Sequence, residues 1–383
     1  MIKQKLIYLY TSDRPANNAK RELIMTPTKN KFAIEAPTDG MIKMWCELAG
    51  RDIVDKVEIF VDSHISCGYK QLAPKTSLYV VPDIDIARDF ISPGDIVIVR
   101  GGFKPWFPTL TKIYEARKNW ILFYRANTNR NPWPFWDIIL DDLLRDQSVK
   151  HLNRYWFKFS KPVNEEVFKY DPAINQSYGK HYDVCIGASH IHAKKGQYMG
   201  VRALRAYTDY YEYKLSAVLP GGFIRCMYNK EIITARDDGI VDVIGHTTRQ
   251  LLCELLNRSE VFIHAGPGGQ NDRGVLEAMC CGLPVILASH NHFSDFVSSG
   301  HGYNAVVDAG KSTTPLNIAR WIRSIRMNPS DPLDIKRFYQ NYNGLNEVCI
   351  PKMISLFEWM NRFSGPVRPK MKNPREVVPW ERG

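Results

Sequence analysis

The segment from Glu260 to Ser289, EVFIHAGPGGQNDRGVLEAMCCGLPVILAS, leaves a chain few ways to fold. Val261 to His264 is a short β-branched and aromatic run, cut by Gly266, Pro267, Gly268 and Gly269. Asn271 or Asp272 can cap a helix from about Arg273 to Cys281, and Gly282 and Pro284 end it. Val285 to Leu287 then reads as the next buried strand. Strand, glycine loop, helix and strand in that order make an α/β crossover. The unpaired N–H groups at such a helix start, with the positive end of its dipole, suit phosphates and other anions. Glu277 is the notable acidic group on the helix itself.

The same alternation runs through the chain. Leu6–Tyr10, Val57–Val61, Leu78–Val81, Ile96–Val99, Trp120–Tyr124 and Ile138–Leu140 predict six strands, with helices over Met41–Leu48 and Leu110–Arg117. A second series has strands at Val184–Gly187, Phe223–Met227, Val241–Ile244, Val261–His264 and Val285–Ala288. Its helices are Gly200–Leu215, Thr248–Asn257, Arg273–Cys281 and Thr314–Met327. Two such series predict two doubly wound parallel sheets. Ile350, Met353, Ile354, Phe357, Met360 and Phe363 form one stripe of a late helix, and the proline-rich basic tail from Ser364 reads as irregular.

The totals agree. A chain of 383 residues, 44% hydrophobic and 24% charged, suits two globular domains of ordinary size. No apolar run approaches the length of a membrane span, and Lys3 and Lys5 interrupt the first strand, so no secretory signal opens it. The expectation is a cytoplasmic protein. Eight scattered cysteines without CxxC or His/Cys spacing predict reduced buried thiols and no metal site. A net charge of +11 suits an anionic partner: a nucleotide, a nucleic acid or an anionic membrane surface touched peripherally. No helix-turn-helix, RNP or zinc-finger pattern supports specific nucleic-acid binding. A nicotinamide enzyme needs GxGxxG after its first strand, where this chain has Thr11-Ser12-Asp13-Arg14-Pro15.

Glu277, Ala278, Met279, Gly282, Pro284, Val285 and Ile286 resemble the signature of retaining glycosyltransferases of family 4, the group 1 glycosyl transferases. The resemblance is strongest from Tyr182 to Ala288 and extends to Asn164, Phe168 and Pro172 in a linker between Lys161 and Lys180. It implies the GT-B fold: two Rossmann-like domains facing across a cleft, with a C-terminal helix crossing back. The implied division is 1–165 for the acceptor, 166–345 for a nucleotide sugar, and 346–383 for the crossover helix and basic tail. The implied reaction moves a sugar from a UDP- or GDP-sugar co-substrate to a hydroxyl of a glycan, glycoprotein or glycolipid, with no permanently bound cofactor.

The resemblance also implies a site. Lys195, in the family's Lys-Gly pair with Gly196, meets the donor's diphosphate, and Glu277 accepts the ribose hydroxyls. The family's arginine beside Gly187 is Ala188 here, leaving His190, His192 or Lys194 to supply a donor. His246 and Thr247 are base contacts, unless the threonines simply cap a helix. Gly268, Gly269, Gln270, Asn271 and Arg273 complete the donor side. The family's first glutamate is replaced by Gly269, so Asp272 or Gln270 is expected to hold the donor sugar. This substitution also leaves open a GT-B relative that binds without turnover. On the acceptor side, Gly40 in Thr38-Asp39-Gly40 resembles the family's glycine loop. Arg100 and Gly102, then Arg125 and Asn127, follow strand ends in the same way. Trp106, Trp133 and Trp136 either line an acceptor-sugar cleft or pack on their own domain. Arg273 and Glu277, four residues apart, could alternatively form a surface ion pair.

Overall fold

A computed structural model describes residues 2–11, 38–62, 67–81, 84–101, 107–116, 118–125, 136–141, 155–176, 179–187, 190–191, 195–223, 228–266, 273–288, 304–307, 314–363 and 365–366. The first half contains β1 (Ile2–Thr11), α1 (Gly40–Gly50), β2 (Val54–Asp62), β3 (Gly68–Ala73), β4 (Thr76–Val81) and β5 (Ile96–Gly101). It continues with α2 (Phe107–Ala116), β6 (Trp120–Arg125), β7 (Ile138–Asp141) and β8 (Tyr155–Lys158). These eight strands form one sheet in the order β3-β4-β2-β1-β5-β6-β7-β8. All pairings are parallel except β3 with β4.

Continuous apolar runs here are strands buried on both faces. Leu6 and Tyr8 of β1 enter a core with Trp45 of α1, whereas Ile7 and Leu9 enter another with Leu110 and Tyr114 of α2. Two strands escape the apolar pattern. Strand β3 is an edge strand, mostly exposed, and its Gly-Tyr-Lys-Gln start carries no alternation. It makes a hairpin with β4 where pure parallel order is expected. Strand β8 extends the sheet beyond the six strands read from the sequence.

The linker leads through α3 (Pro172–Gln176) to β9 (Tyr182–Ile186), β10 (His190–Ile191), α4 (Gln197–Tyr211), β11 (Ala217–Leu219) and β12 (Gly222–Phe223). Next come α5 (Asn229–Asp237), β13 (Asp242–Val243), α6 (Arg249–Asn257), β14 (Ser259–His264), α7 (Arg273–Cys280), β15 (Val285–Ala288) and β16 (Asn304–Val307). The second sheet is parallel throughout, in the order β13-β11-β9-β14-β15-β16. The strand expected at Phe223–Met227 is corrected. Ala217–Leu219 is the strand that pairs with β9, and Pro220 stops it, while residues 224–227 lie outside the described residues. Helix α4 also ends at Tyr211 rather than Leu215, with Glu212 left-handed at φ 54°.

Three α-helices follow among the described residues, α8 (Pro315–Met327), α9 (Pro332–Asn343) and α10 (Ile350–Met360), with a π-helical turn at Leu345–Cys349 before the last. Helix α10 crosses back to the first sheet, where Ile350, Met353, Phe357 and Met360 join the core of Leu6, Tyr8 and Trp45. Phe363 lies past the helix end and is 40% exposed, so the stripe stops short of it. The linker is held on both sides. Asn343 Nδ2 donates to Lys161 O at 2.8 Å, and Asn257 bonds Lys169 O and Asp171 N at 2.9 and 2.7 Å. Among the described residues no helix is long and apolar enough to cross a membrane.

Phe357 is fully buried in the first core. Phe357→Ala is therefore expected to cost about 3–5 kcal/mol in chemical denaturation. A cost below about 1 kcal/mol would mean that the crossing helix does not belong to that core.

Candidate active site

In each sheet, chain order reverses beside the central strand, between β1 and β5 in the first and between β9 and β14 in the second. The carboxyl ends of strands at such a reversal splay their loops apart and bind ligands in open α/β sheets. Gly187 follows β9, with φ 61°, and its N–H donates to Ile263 O of β14 at 2.8 Å. Gly196 precedes α4 at φ 70°, and a Cβ there would lie 2.2 Å from the carbonyl of Ala265. Only glycine lets the Lys195–Gly196 turn rest on the chain leaving β14. The third loop joins through Gly221 N, which donates to Gly245 O at 2.6 Å, and through Gly222, packed beneath the His246 ring. Strand β10 pairs with β12, closing the circuit. The described ends of the loops after β9, β13 and β14 thus meet on one edge of the sheet.

Lys195 is half-buried at this turn, His246 is exposed and Thr247 half-buried. Thr248, not Thr247, caps α6 by accepting from Leu251 N at 3.2 Å. His190 lies in β10, but its side chain is outside the described residues, as are His192, Lys194, Gly268, Gly269, Gln270, Asn271 and Asp272. Gly102, Asn127, Trp106, Trp133 and the Arg125 side chain lie outside them too. Trp136 stacks on Phe123 at 4.6 Å in the core of Ile7 and Leu9, so it packs on its own domain.

Glu277 is not a surface residue. Helix α7 is buried from Gly274 to Cys280, because β14, α6 and α9 enclose it, and Glu277 is only 5% exposed. Its Oε1 pairs with Arg273 Nε at 2.8 Å. The ion pair is therefore real, and its carboxylate end is buried, so Glu277 depends on Arg273 rather than on bulk water.

Arg273 leads to the first domain. Asp39, 1% exposed, caps α1: its Oδ1 accepts from Met41 N at 2.9 Å and Ile42 N at 3.4 Å. Its Oδ2 accepts from Arg273 Nη1 and Arg249 Nη2, both at 2.9 Å. Arg100, at the end of β5, approaches Oδ1 at 3.6 Å, donates to the Tyr8 hydroxyl at 3.3 Å, and lies over the Tyr10 ring at 5.1 Å. Arg100, read from the sequence as facing an acceptor, is thus 9% exposed with its guanidinium on Asp39 and Tyr8. Gly40 is packed as well, since a Cβ would lie 2.1 Å from Pro162 O. Burial opposes ionisation of Asp39, yet the charges of Arg249, Arg100 and Arg273 outweigh it and hold its carboxyl well below the usual range. Burial, with the charge of Asp39 beside it, pushes the Tyr8 hydroxyl up against the pull of Arg100, so it stays a neutral donor and acceptor.

Arg249 is the residue that sequence reasoning missed. The available signal was position: Arg249 and Arg273 are each the first residue of a helix, where a cation opposes the dipole and needs an anion nearby.

No family model matches the chain, and no curated protein sequence does either. Solved structures do. Sucrose-phosphate synthase from Thermosynechococcus elongatus superposes with TM-score 0.62 at 11% identity, over 94% of this chain and 100% of the other. HepE of Anabaena, in complex with UDP and glucose, gives 0.62 at 12% identity over 94% and 100%. AviGT4, a glycosyltransferase involved in avilamycin A biosynthesis, gives 0.59 at 16% identity over 93% and 97%. The fold is that of the GT-B glycosyltransferases. In GT-B terms, the Asp39 cluster joins the two domains, with Asp39 and Arg100 from one and Arg249 and Arg273 from the other.

The folded pKa of Asp39 lies below its unfolded value near 3.9, so its charge stabilises above about pH 4 and that contribution fades as pH falls further. Asp39→Asn, which keeps a capping oxygen, should lose about 3 kcal/mol between pH 6 and 8. The gap between wild type and variant should narrow below about pH 4 in denaturant melts. A gap that stays constant to pH 3 would contradict the assignment.

Proposed function

We propose that this protein transfers a sugar from a nucleoside-diphosphate sugar to a hydroxyl group, retaining the anomeric configuration as family 4 enzymes do. The observation that carries the reading is the seating of the Lys195–Gly196 turn against Ala265–Gly266, next to the helix that bears Glu277. A cation, the glycine turn that seats it and a buried carboxylate then stand by the carboxyl edge of the second sheet.

In this reading the base lies over Gly245–Thr247, with His246 and Thr247 at its rim, and Gly187 leaves room for the donor beside α4. Glu277 accepts the ribose hydroxyls, aligned by its pair with Arg273. Lys195, the N–H groups of Gly268 and Gly269, and the helix starts carry the charge of the departing diphosphate. Asp272 or Gln270 holds the donor sugar in place of the family's glutamate, where this chain has Gly269, and Asn271 and His190 are further donor-side groups. The acceptor hydroxyl approaches from the first domain, from the side of Gly40, Gly102, Arg125 and Asn127, with Arg100 supporting that wall through Asp39. Its oxygen bonds to the anomeric carbon on the face that the diphosphate leaves, and a donor phosphate oxygen takes its proton. Enclosure between two domains keeps water from competing. UDP-sugars are the first donors to test, since HepE is complexed with UDP and glucose, with GDP-sugars next. The net charge of +11 also accommodates an acceptor carried at an anionic membrane surface.

Calorimetric titration tests the assignment. Glu277→Gln should weaken binding of the nucleoside diphosphate by at least ~1 kcal/mol, about fivefold. Unchanged affinity would reduce Glu277 to a structural ion pair. Wild-type protein given donor and a panel of hydroxyl acceptors should yield a glycoside whose anomeric proton coupling in NMR matches that of the donor. Tight nucleotide-sugar binding without transfer or slow hydrolysis would instead favour the binding-only relative that Gly269 suggests.

A further inference from the structure

The arginines around Asp39 outnumber what the described residues set against them. Arg249 and Arg273 both begin helices, so the dipoles of α6 and α7 add to the positive potential between them. Their side chains retain only 12% and 23% of their exposure, and both use the same oxygen, Asp39 Oδ2, at 2.9 Å. Arg100, whose side chain is 11% exposed, is the third guanidinium. Among the described residues, Asp39 and Glu277 are the carboxylates that pair with these three arginines, which leaves one positive charge in excess. A buried cation without full compensation is costly, and an anion that enters relieves the cost. Arg249 is the least compensated: burial and the charge of Arg273 lower its pKa despite Asp39.

Asp39 presents these cations with what a phosphate oxygen would present. It is a compact anion, it accepts two charge-assisted hydrogen bonds through one oxygen, and it comes from the opposite domain. Arg249 directly follows the loop assigned to the base, and Arg273 pairs with the carboxylate assigned to the ribose. Both guanidinium groups therefore stand at the donor wall with a carboxylate in hand. We infer that Asp39 is a stand-in for a donor phosphate: the diphosphate competes with it for Arg249 and Arg273. The contact between domains and the grip on the donor are then alternative uses of the same two cations. This rests on the glycosyltransferase reading, and it adds Arg249 and Arg273 to Lys195 as phosphate-binding groups. A diphosphate carries more charge than one carboxylate and can serve both guanidinium groups at once.

Titration of the full chain with UDP, GDP, their nucleosides and inorganic pyrophosphate tests this. Asp39→Asn keeps the helix cap and removes the competing charge, so it should bind UDP or GDP, and pyrophosphate, at least ~10-fold more tightly, with the nucleosides unaffected. Arg249→Gln should bind the same phosphates at least ~10-fold more weakly. Equal or weaker phosphate binding by Asp39→Asn would overturn the inference while leaving the glycosyltransferase reading intact. Failure of wild type to bind any of the nucleotides or nucleosides would remove both. Should Asp39→Asn not fold, Arg249→Gln decides alone, and unchanged affinity for the phosphates would overturn the inference.

Discussion

Asp39 lies between guanidinium groups from β5, α6 and α7, and neither half of the molecule could sustain that arrangement alone. Removing a carboxylate or a cation from water costs several kcal/mol, which close pairing returns only when the geometry is good. Here each side supplies what the other lacks. The first domain brings a capping carboxylate with two N–H donors already on Oδ1, and the second brings two arginines aimed at Oδ2. Separating the domains would leave Arg249 and Arg273 facing one another without the carboxylate. The relative placement of the domains is therefore an electrostatic matter as much as a matter of packing.

The same logic explains why the site lies where it does. Each sheet reverses its chain order beside its central strand, and the loops that leave there are free to converge. In the second sheet, glycines at 187, 196 and 222 bring backbones within reach of one another, where a Cβ would press on Gln197, Ala265 or His246. In the first, Gly40 brings the start of α1 against the linker at Pro162, which fixes Asp39. Close backbone approach, rather than a large set of polar contacts, assembles the wall.

The sheet cores were legible because strands such as Ile96–Val99 and Trp120–Tyr124 are buried on both faces and read as unbroken apolar runs. What failed to show was marginal by the same criterion. Strand β3 is exposed, β11 is three residues long, and α5 buries only Ile232 and Ala235. Helix α9 is the exception, since it carried legible signals that went unread: Asp331 as its cap, Pro332 after it, and an apolar stripe at Ile335, Phe338, Tyr339 and Tyr342. At the site, the Lys195–Gly196 turn and Glu277 could be read from a motif. The union of Asp39 with Arg249 could not, because it joins residues some two hundred positions apart and depends on how two domains meet. Only the oddity of an arginine at each helix start hinted at it.

Amide hydrogen exchange with and without a nucleoside diphosphate tests the central claim, one donor wall built from three loops and tied to the first domain, most directly. The account predicts slowed exchange at residues 195–200, 245–252 and 273–280 together, and a change at 39–43 where Asp39 caps α1. Protection confined to the first sheet, or at only one of the three loops, would contradict it.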